Sequence, residues 1–296
     1  SPRTLTGGSR HFTIDLIASW PAVDADDPAS CSPHASGTFL FPSGAIHFVT
    51  SVSSTSPQLR DYKQHYRADA QYIEDPEALS GVRSASERRR LQVIIDQLNL
   101  KPGERMLDLG CGSGWLADLS AHTGAKIVAC DLAPTGVSAA RRRFPEAAQF
   151  MASDVYAVGL ADASCDAIVL SEVVEHLEDV TTGLRQAARL LRPQGRLIVT
   201  VPYRETILQH LCIHCNQLTP ANAHLHSFDQ QSLSQIAVAV GLRVTRTRLM
   251  GNKVLELMRM PQWTRWWPQW LWRFTDSVSN RLTGKAAFLL MEAKKA

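Results

Sequence analysis

The sequence has 296 residues and a formal net charge of +3 at neutral pH, with 45% hydrophobic and 20% charged residues. That length supports one large core, and a balance this close to neutral calls for no nucleic-acid partner. No run reaches the ~18–20 apolar residues that span a bilayer, and six scattered cysteines read as reduced thiols rather than a disulfide framework; the expected location is cytoplasmic, at most peripheral to a membrane.

Residues 1–57 are rich in Ser, Pro, Thr, Ala and Gly and contain neither Lys nor Glu. Their composition predicts a disordered or non-native leader, with Thr38–Phe41 and Ala45–Val52 as the pieces able to form a stray strand. The remaining residues, 58–296, form the expected folded domain. Tyr62, Tyr66 and Tyr72 sit in a helix or loop expected to pack over a site. Ser84 and Glu87 have capping-box spacing before an apolar helix face of Leu91, Val93, Ile94, Ile95 and Leu98. Strands and helices then alternate. Strands are expected at Arg105–Leu109, Lys126–Cys130, Ala148–Ala152, Cys165–Leu170 and Arg196–Val201, the last following a turn at Arg192–Gly195. Helices are expected at Trp115–Ala121, from Pro134 to about Phe144, at Thr182–Leu191 and at Ser232–Val240. Leu242–Met250 and Ala286–Glu292 read as the closing strands. Alternation of this kind implies an α/β fold whose parallel sheet is covered on both faces.

The most informative stretch is Met106–Trp115, MLDLGCGSGW. A buried strand empties into Gly110, Gly112 and Gly114, and a helix follows. That is a recipe for bringing a nucleotide-like ligand close to the backbone. The spacing departs from the dinucleotide fingerprint, because Trp115 stands where its third glycine would be. This disfavours a nicotinamide-dependent oxidoreductase. The second strand ends in Asp131, placed to accept hydrogen bonds from ribose hydroxyls.

These residues resemble the class I S-adenosylmethionine-dependent methyltransferases, and the quinone-biosynthesis-like (type 11) subgroup in particular. The resemblance implies a Rossmann-like, doubly wound, seven-stranded and mostly parallel sheet with an antiparallel last strand. It also implies S-adenosyl-L-methionine as cofactor, bound by Asp108, Gly110, Cys111, Gly112, Gly114, Asp131, Leu132, Asp154, Val155 and Ser171. Asp131 would serve the ribose, and Asp154 the adenine amino group, with Val155 and Tyr156 against the base. The acceptor implied is a small molecule, with O-methylation favoured and a quinone precursor, sugar or lipid-linked compound as substrate. A non-catalytic cofactor-binding subunit or scaffold is the alternative.

After the fourth strand comes Ser171-Glu-Val-Val-Glu-His-Leu-Glu-Asp179. On a helical turn Glu172, Glu175 and His176 would share a face, as a general base or as metal ligands. A solvated helix start, with acids at its positive end, is the competing reading. The segment is similar to that of quinone-biosynthesis O-methyltransferases. It is also similar to small-RNA 2′-O-methyltransferases, in which E-x-x-E-H and a later His bind a divalent ion. That likeness implies a metal set of Glu172, Glu175, His176 and His226, with His176, Glu175 or His226 as a metal-free base otherwise. Residues 203–231 form the expected lid. Within it, His210, Cys212, His214 and Cys215, with His224 and His226 downstream, leave structural zinc, a redox dithiol and packed thiols open. An insert at 251–284 carries Trp263, Trp266, Trp267 and Trp270 at one-face helical spacing. A homodimer contact, a membrane surface and a substrate lid are its readings.

Overall fold

A computed structural model of the protein describes residues 61–70, 79, 81–213 and 216–295. The expected leader at 1–57 lies outside the described residues, as do His214 and Cys215 of the cysteine–histidine cluster. A short helix, α1 (Tyr62–Asp69), is capped by the Asp61 carboxylate, which accepts from the Gln64 N–H. Helix α2 runs from Gly81 to Leu98 and buries Leu91, Ile94 and Leu98 on one side. It starts three residues before the expected capping box, so Ser84 is already helical. Glu87 instead pairs with Arg90, Oε1 to Nη2 at 2.5 Å.

The sheet begins with β1 (Arg105–Leu109), α3 (Trp115–Ser120), β2 (Lys126–Asp131), α4 (Pro134–Arg143) and β3 (Gln149–Ala152). It continues with β4 (Cys165–Ser171), α5 (Val180–Leu190) and β5 (Leu191–Pro202). Helix α5 starts where the Asp179 carboxylate accepts from the Thr182 N–H. The turn expected at Arg192–Gly195 stays within β5 as a bulge. Leu191 pairs with Cys165, pairing resumes at Arg196 opposite Ala167, and Gln194 takes a left-handed φ of 62° to absorb the excess. A small hairpin, β6 (Gln209–Leu211) with β7 (Leu218–Pro220), occupies the expected lid. Then come α6 (Gln230–Ala239), opened by a capping box of Asp229 and Ser232, and β8 (Leu242–Asn252). The insert folds as α7 (Lys253–Leu257), α8 (Met260–Trp263) and α9 (Gln269–Thr283), and β9 (Ala286–Lys295) closes the chain.

The seven strands order as β3-β2-β1-β4-β5-β9-β8, with β9 antiparallel to both neighbours and the first five parallel. This is the seven-stranded, mostly parallel sheet expected from the sequence. Alternate residues serve opposite faces. Leu107, Ile168 and Leu170 join Leu184, Phe228 and Leu233 in the core beneath α5 and α6. Met106, Ala167 and Val169 join Ile94, Leu98 and Trp115 beneath α2 and α3. The strand order reverses between β1 and β4, which opens a crevice beyond their carboxyl ends. Among the described residues no helix is long and apolar enough to cross a membrane.

The four tryptophans expected on one helical face are divided. Trp263 ends α8, Trp270 lies in α9, and Trp266 and Trp267 fall in the turn between them. Pro268, the N-cap of α9, cannot donate the amide hydrogen bond that a continuous helix would need there.

Candidate functional site

The site is assembled from the carboxyl ends of β1 to β4. Gly110 and Gly112 adopt φ of 85° and 48°, in the left-handed region. A Cβ on Gly110 would lie 2.3 Å from Val173 Cγ2, so only glycine lets the β1 turn pass under the β4 loop. The N–H groups of Gly110 and Cys111 both donate to the Cys130 carbonyl, at 2.7 and 2.9 Å, folding the turn over the end of β2. There Asp131 accepts from Gly112 N at 2.9 Å through Oδ2 and from Ala133 N at 3.1 Å through Oδ1. Its carboxylate is thereby fixed with lone pairs to spare.

Two cavities meet at this turn and share Gly110, Gly112 and Glu172 in their walls. The smaller, about 220 Å³, is walled by Asp131, Leu132, Asp154, Val155 and His176. The larger, about 630 Å³, is walled by Asp108, Cys111 and Ser171 with Arg90 at its back. Nine of the ten residues expected to hold a cofactor therefore line one cavity or the other. Gly114 does not. It caps α3, where an added Cβ would stand 3.0 Å from Phe150.

Asp108 is 2% exposed, and its Oδ2 has no hydrogen-bond partner. Burial, and then the charge of Asp131, push its pKa up to about 7 against the pull of Arg90. Asp154 behaves differently. Burial opposes its ionisation, but the Tyr62 hydroxyl, at 2.5 Å, the Tyr156 N–H, at 3.0 Å, and Lys63 Nζ, at 3.0 Å, hold it below the usual carboxylate range. Helix α1 thus seals the smaller cavity, and Tyr66 secures it further by donating to the His176 carbonyl at 3.0 Å.

Beyond β4 the expected shared face is split. Glu172 takes a left-handed φ of 56°, and a short 3-10 turn follows at Val174–His176. Glu172 accepts from Thr200 Oγ1 at 3.1 Å and lies 3.6 Å from Arg90. Glu175 and His176 instead gather with His224, their ligand atoms within 4.8 Å of one another. Glu175 is 1% exposed and neither carboxylate oxygen has a partner. Burial, reinforced by Glu172, holds its pKa well above the ordinary value. His176 is driven down to about 4 by burial and by His224. Each of the two rings has Nδ1 committed, His176 to the Ala223 carbonyl at 3.3 Å and His224 to Glu205 Oε2 at 2.5 Å. Nδ1 therefore carries the proton in each, which leaves Nε2 as an acceptor. His226 is outside the group: its Nε2 donates to the Leu177 carbonyl at 2.8 Å.

Sequence reasoning missed Arg90, Tyr62 as a partner of Asp154, and Glu205, and it named His224 only in the zinc reading of the cysteine–histidine cluster, not beside Glu175. The only signal for His224 was its spacing from His226, and the two differ in which faces Glu175. Cys111, Cys130 and Cys165 are buried free thiols, as the apolar strands around Cys130 and Cys165 suggested for those two.

The family model described as Methyltransferase domain matches residues 83–247, more than half of the chain and most of the elements that build these cavities, α1 and β9 lying outside it. The chain belongs to this family. A Mycobacterium tuberculosis protein named "Probable S-adenosylmethionine-dependent methyltransferase" is 33% identical over 155 residues, covering 52% of this chain and 54% of that protein. A ubiquinone biosynthesis O-methyltransferase of Xanthomonas oryzae pv. oryzae is 38% identical over 115 residues, covering 38% of this chain and 48% of its own. The methyltransferase domain thus spans about half the length of the curated relatives it matches. Among solved structures, a SAM-dependent methyltransferase from Aquifex aeolicus superposes with a TM-score of 0.52 at 15% identity, over 78% of this chain and 98% of that one. That likeness is one of fold.

Proposed function

We propose that this methyltransferase domain transfers a methyl group from S-adenosyl-L-methionine to a small-molecule acceptor, with an oxygen as the favoured acceptor atom. The observation that carries the reading is the pair of carboxylates at the two cavities. Asp131 is fixed by two backbone amides with lone pairs left over, and Asp108 is buried with one oxygen unpartnered. A ligand with vicinal ribose hydroxyls and an amino-acid cation satisfies both. Asp131 accepts from the ribose, and Asp108 and the β1 turn face the methionine part. Val155 and Tyr156 flank the base, with Asp154 at its amino edge once Tyr62 and Lys63 release it.

Holding donor and acceptor in line supplies most of the rate enhancement. In the transfer the carbon–sulfur bond breaks as the oxygen–carbon bond forms, sulfur keeps the electron pair, and the acceptor proton must leave. His176 lines the cavity, is neutral, and offers Nε2 to that proton. The imidazolium that forms favours ionisation of the Glu175 carboxyl beside it, which its burial otherwise opposes. The orphaned Glu175 oxygens and the two free Nε2 atoms also fit a divalent ion, with Glu205 orienting His224 as outer-shell carboxylates do. Bound there, an ion would lower the pKa of an acceptor hydroxyl. Calorimetric titration with Mg²⁺, Mn²⁺ and Zn²⁺ tests this. Glu175→Gln or His224→Ala should weaken binding by at least about 10–100-fold, the cost of losing an outer-shell partner alone. Equal affinity in both variants rejects the ion.

The function itself is tested by mixing the full chain with radiolabelled S-adenosylmethionine and a panel of phenolic quinone precursors, sugars and lipid-linked acceptors. Formation of S-adenosylhomocysteine that depends on an acceptor is the expected result. Donor binding with no turnover across the panel would favour a non-catalytic subunit. Failure to bind the donor would overturn both readings.

A further inference from the structure

Helix α9 is built inside out. Trp272, Asp276 and Asn280, four residues apart, form its buried stripe. Two of these three are polar, and they are held by hydrogen bonds. Asp276 Oδ2 accepts from Gly251 N at 3.1 Å and from Asn280 Nδ2 at 3.3 Å, while Asn252 Nδ2 donates to Asn280 Oδ1 at 2.8 Å. Trp272 is covered by the Arg89 guanidinium, 4.3 Å from its ring centre. Trp270, Phe274, Val278 and Leu282 are each displaced by two residues from that stripe, about 200° around the helix. They face outward, with Trp270 70%, Phe274 65% and Leu282 80% exposed. An ordinary surface helix buries its apolar stripe and wets its polar one. Here the polar stripe fixes the helix to β8 and the apolar stripe has no cover among the described residues.

The stripe is extended by Trp263 and Trp266 before α9, and by Leu257 and Met258 at the end of α7, all exposed. Among the described residues of this insert, every exposed charged side chain is a cation: Lys253, Arg259, Arg265, Arg281 and Lys285. Its two acids are withdrawn, Asp276 into the core and Glu256 to a half-buried position. A second copy of this chain would bring like charges together across a shared axis, which disfavours a symmetric dimer through this face. Tryptophan, aliphatic tips and exposed cations without exposed anions complement an anionic lipid surface instead. Apolar groups enter the acyl boundary, the indoles sit at headgroup depth, and the cations meet phosphate.

We propose that the α7–α9 insert docks the protein on anionic membranes, a role independent of the methyl-transfer reading. The test is flotation of the full chain with vesicles of phosphatidylcholine alone and of phosphatidylcholine with one quarter phosphatidylglycerol. The intact chain should float with the phosphatidylglycerol vesicles and be released as salt screens the cations. Changing Trp270, Phe274 and Leu282 together to Ser should lower partitioning by at least about tenfold, since apolar area supplies much of the affinity. Reversing Arg265, Arg281 and Lys285 to Glu should abolish the preference for phosphatidylglycerol. All six residues are exposed, and an unchanged melting temperature verifies folding in each variant. Equal flotation of the intact chain and the serine variant overturns the proposal, as does failure of the intact chain to float. A dimer in sedimentation that the serine variant dissolves, without flotation, would assign the face to a second copy and also overturn it.

Discussion

Replacing Asp131 with alanine is expected to weaken S-adenosylhomocysteine binding by about 100-fold or more, because two charge-assisted hydrogen bonds of roughly 1.5–3 kcal/mol each are lost. The loss exceeds the direct contacts, since Asp131 is also the partner of Gly112 N and Ala133 N. Without it the left-handed Gly112 turn has nothing to hold its amide toward the cavity. Asp131→Asn should be nearly as damaging, because one of the two amides would then meet an NH₂ group rather than an oxygen. Isothermal calorimetry on the full chain measures both. Affinities within about threefold of the intact protein, well under 1 kcal/mol, would remove the ribose role.

Asp108→Asn should have opposite effects on stability and on binding. Below about pH 4 the Asp108 carboxyl is protonated folded or unfolded, and substitution costs only what the buried amide leaves unbonded. Its folded pKa, about 7, lies above the unfolded value, so the intact protein loses stability as pH rises from about 4 to about 7. The accumulated penalty is on the order of 4 kcal/mol. The asparagine variant escapes it, less roughly 1–2 kcal/mol for a buried amide with unmet hydrogen bonds. The ligand-free variant should therefore melt about 5 °C higher than the intact chain at pH 8 and a few degrees lower at pH 4. Binding should go the other way. A cationic ligand beside Asp108 stabilises its carboxylate, so donor binding near pH 6–7 should release a proton, visible as a dependence of the calorimetric heat on buffer. The variant should release none and bind more weakly. A melting difference that does not vary with pH would show that Asp108 is ionised in the ligand-free fold.

The sheet was legible because each parallel strand buries both faces and so appears in the sequence as a short apolar run closed by a polar residue. Asp131, Asp154 and Ser171 each mark the end of such a run. The residues that line the two cavities were legible for the same reason: strand ends place them, and local sequence fixes strand ends. The Glu175–His176–His224 group was only half legible. Its members are 47 or more residues apart in part, and the register that selects His224 over His226 comes from the Leu225 and His226 amides bonding the Glu175 carbonyl, at 2.8 and 3.3 Å. No local pattern encodes that clip. Glu172 was misjudged on geometry, because helical spacing was applied to residues that leave β4 through a left-handed turn. In the insert the tryptophan spacing suggested one helical face, but Pro268 separates Trp270 in α9 from Trp263 in α8.

Under the proposed role of Asp154 at the adenine edge, its contacts with α1 make the resting protein its own competitor. Tyr62 and Lys63 hold the carboxylate that the adenine would need, so a donor molecule meets a site that is already answered from within. Its apparent affinity is then the intrinsic one scaled by the fraction of molecules whose helix has swung away. Whatever stabilises the displaced helix, an acceptor included, tightens donor binding without touching the donor. By reciprocity the donor tightens the acceptor equally.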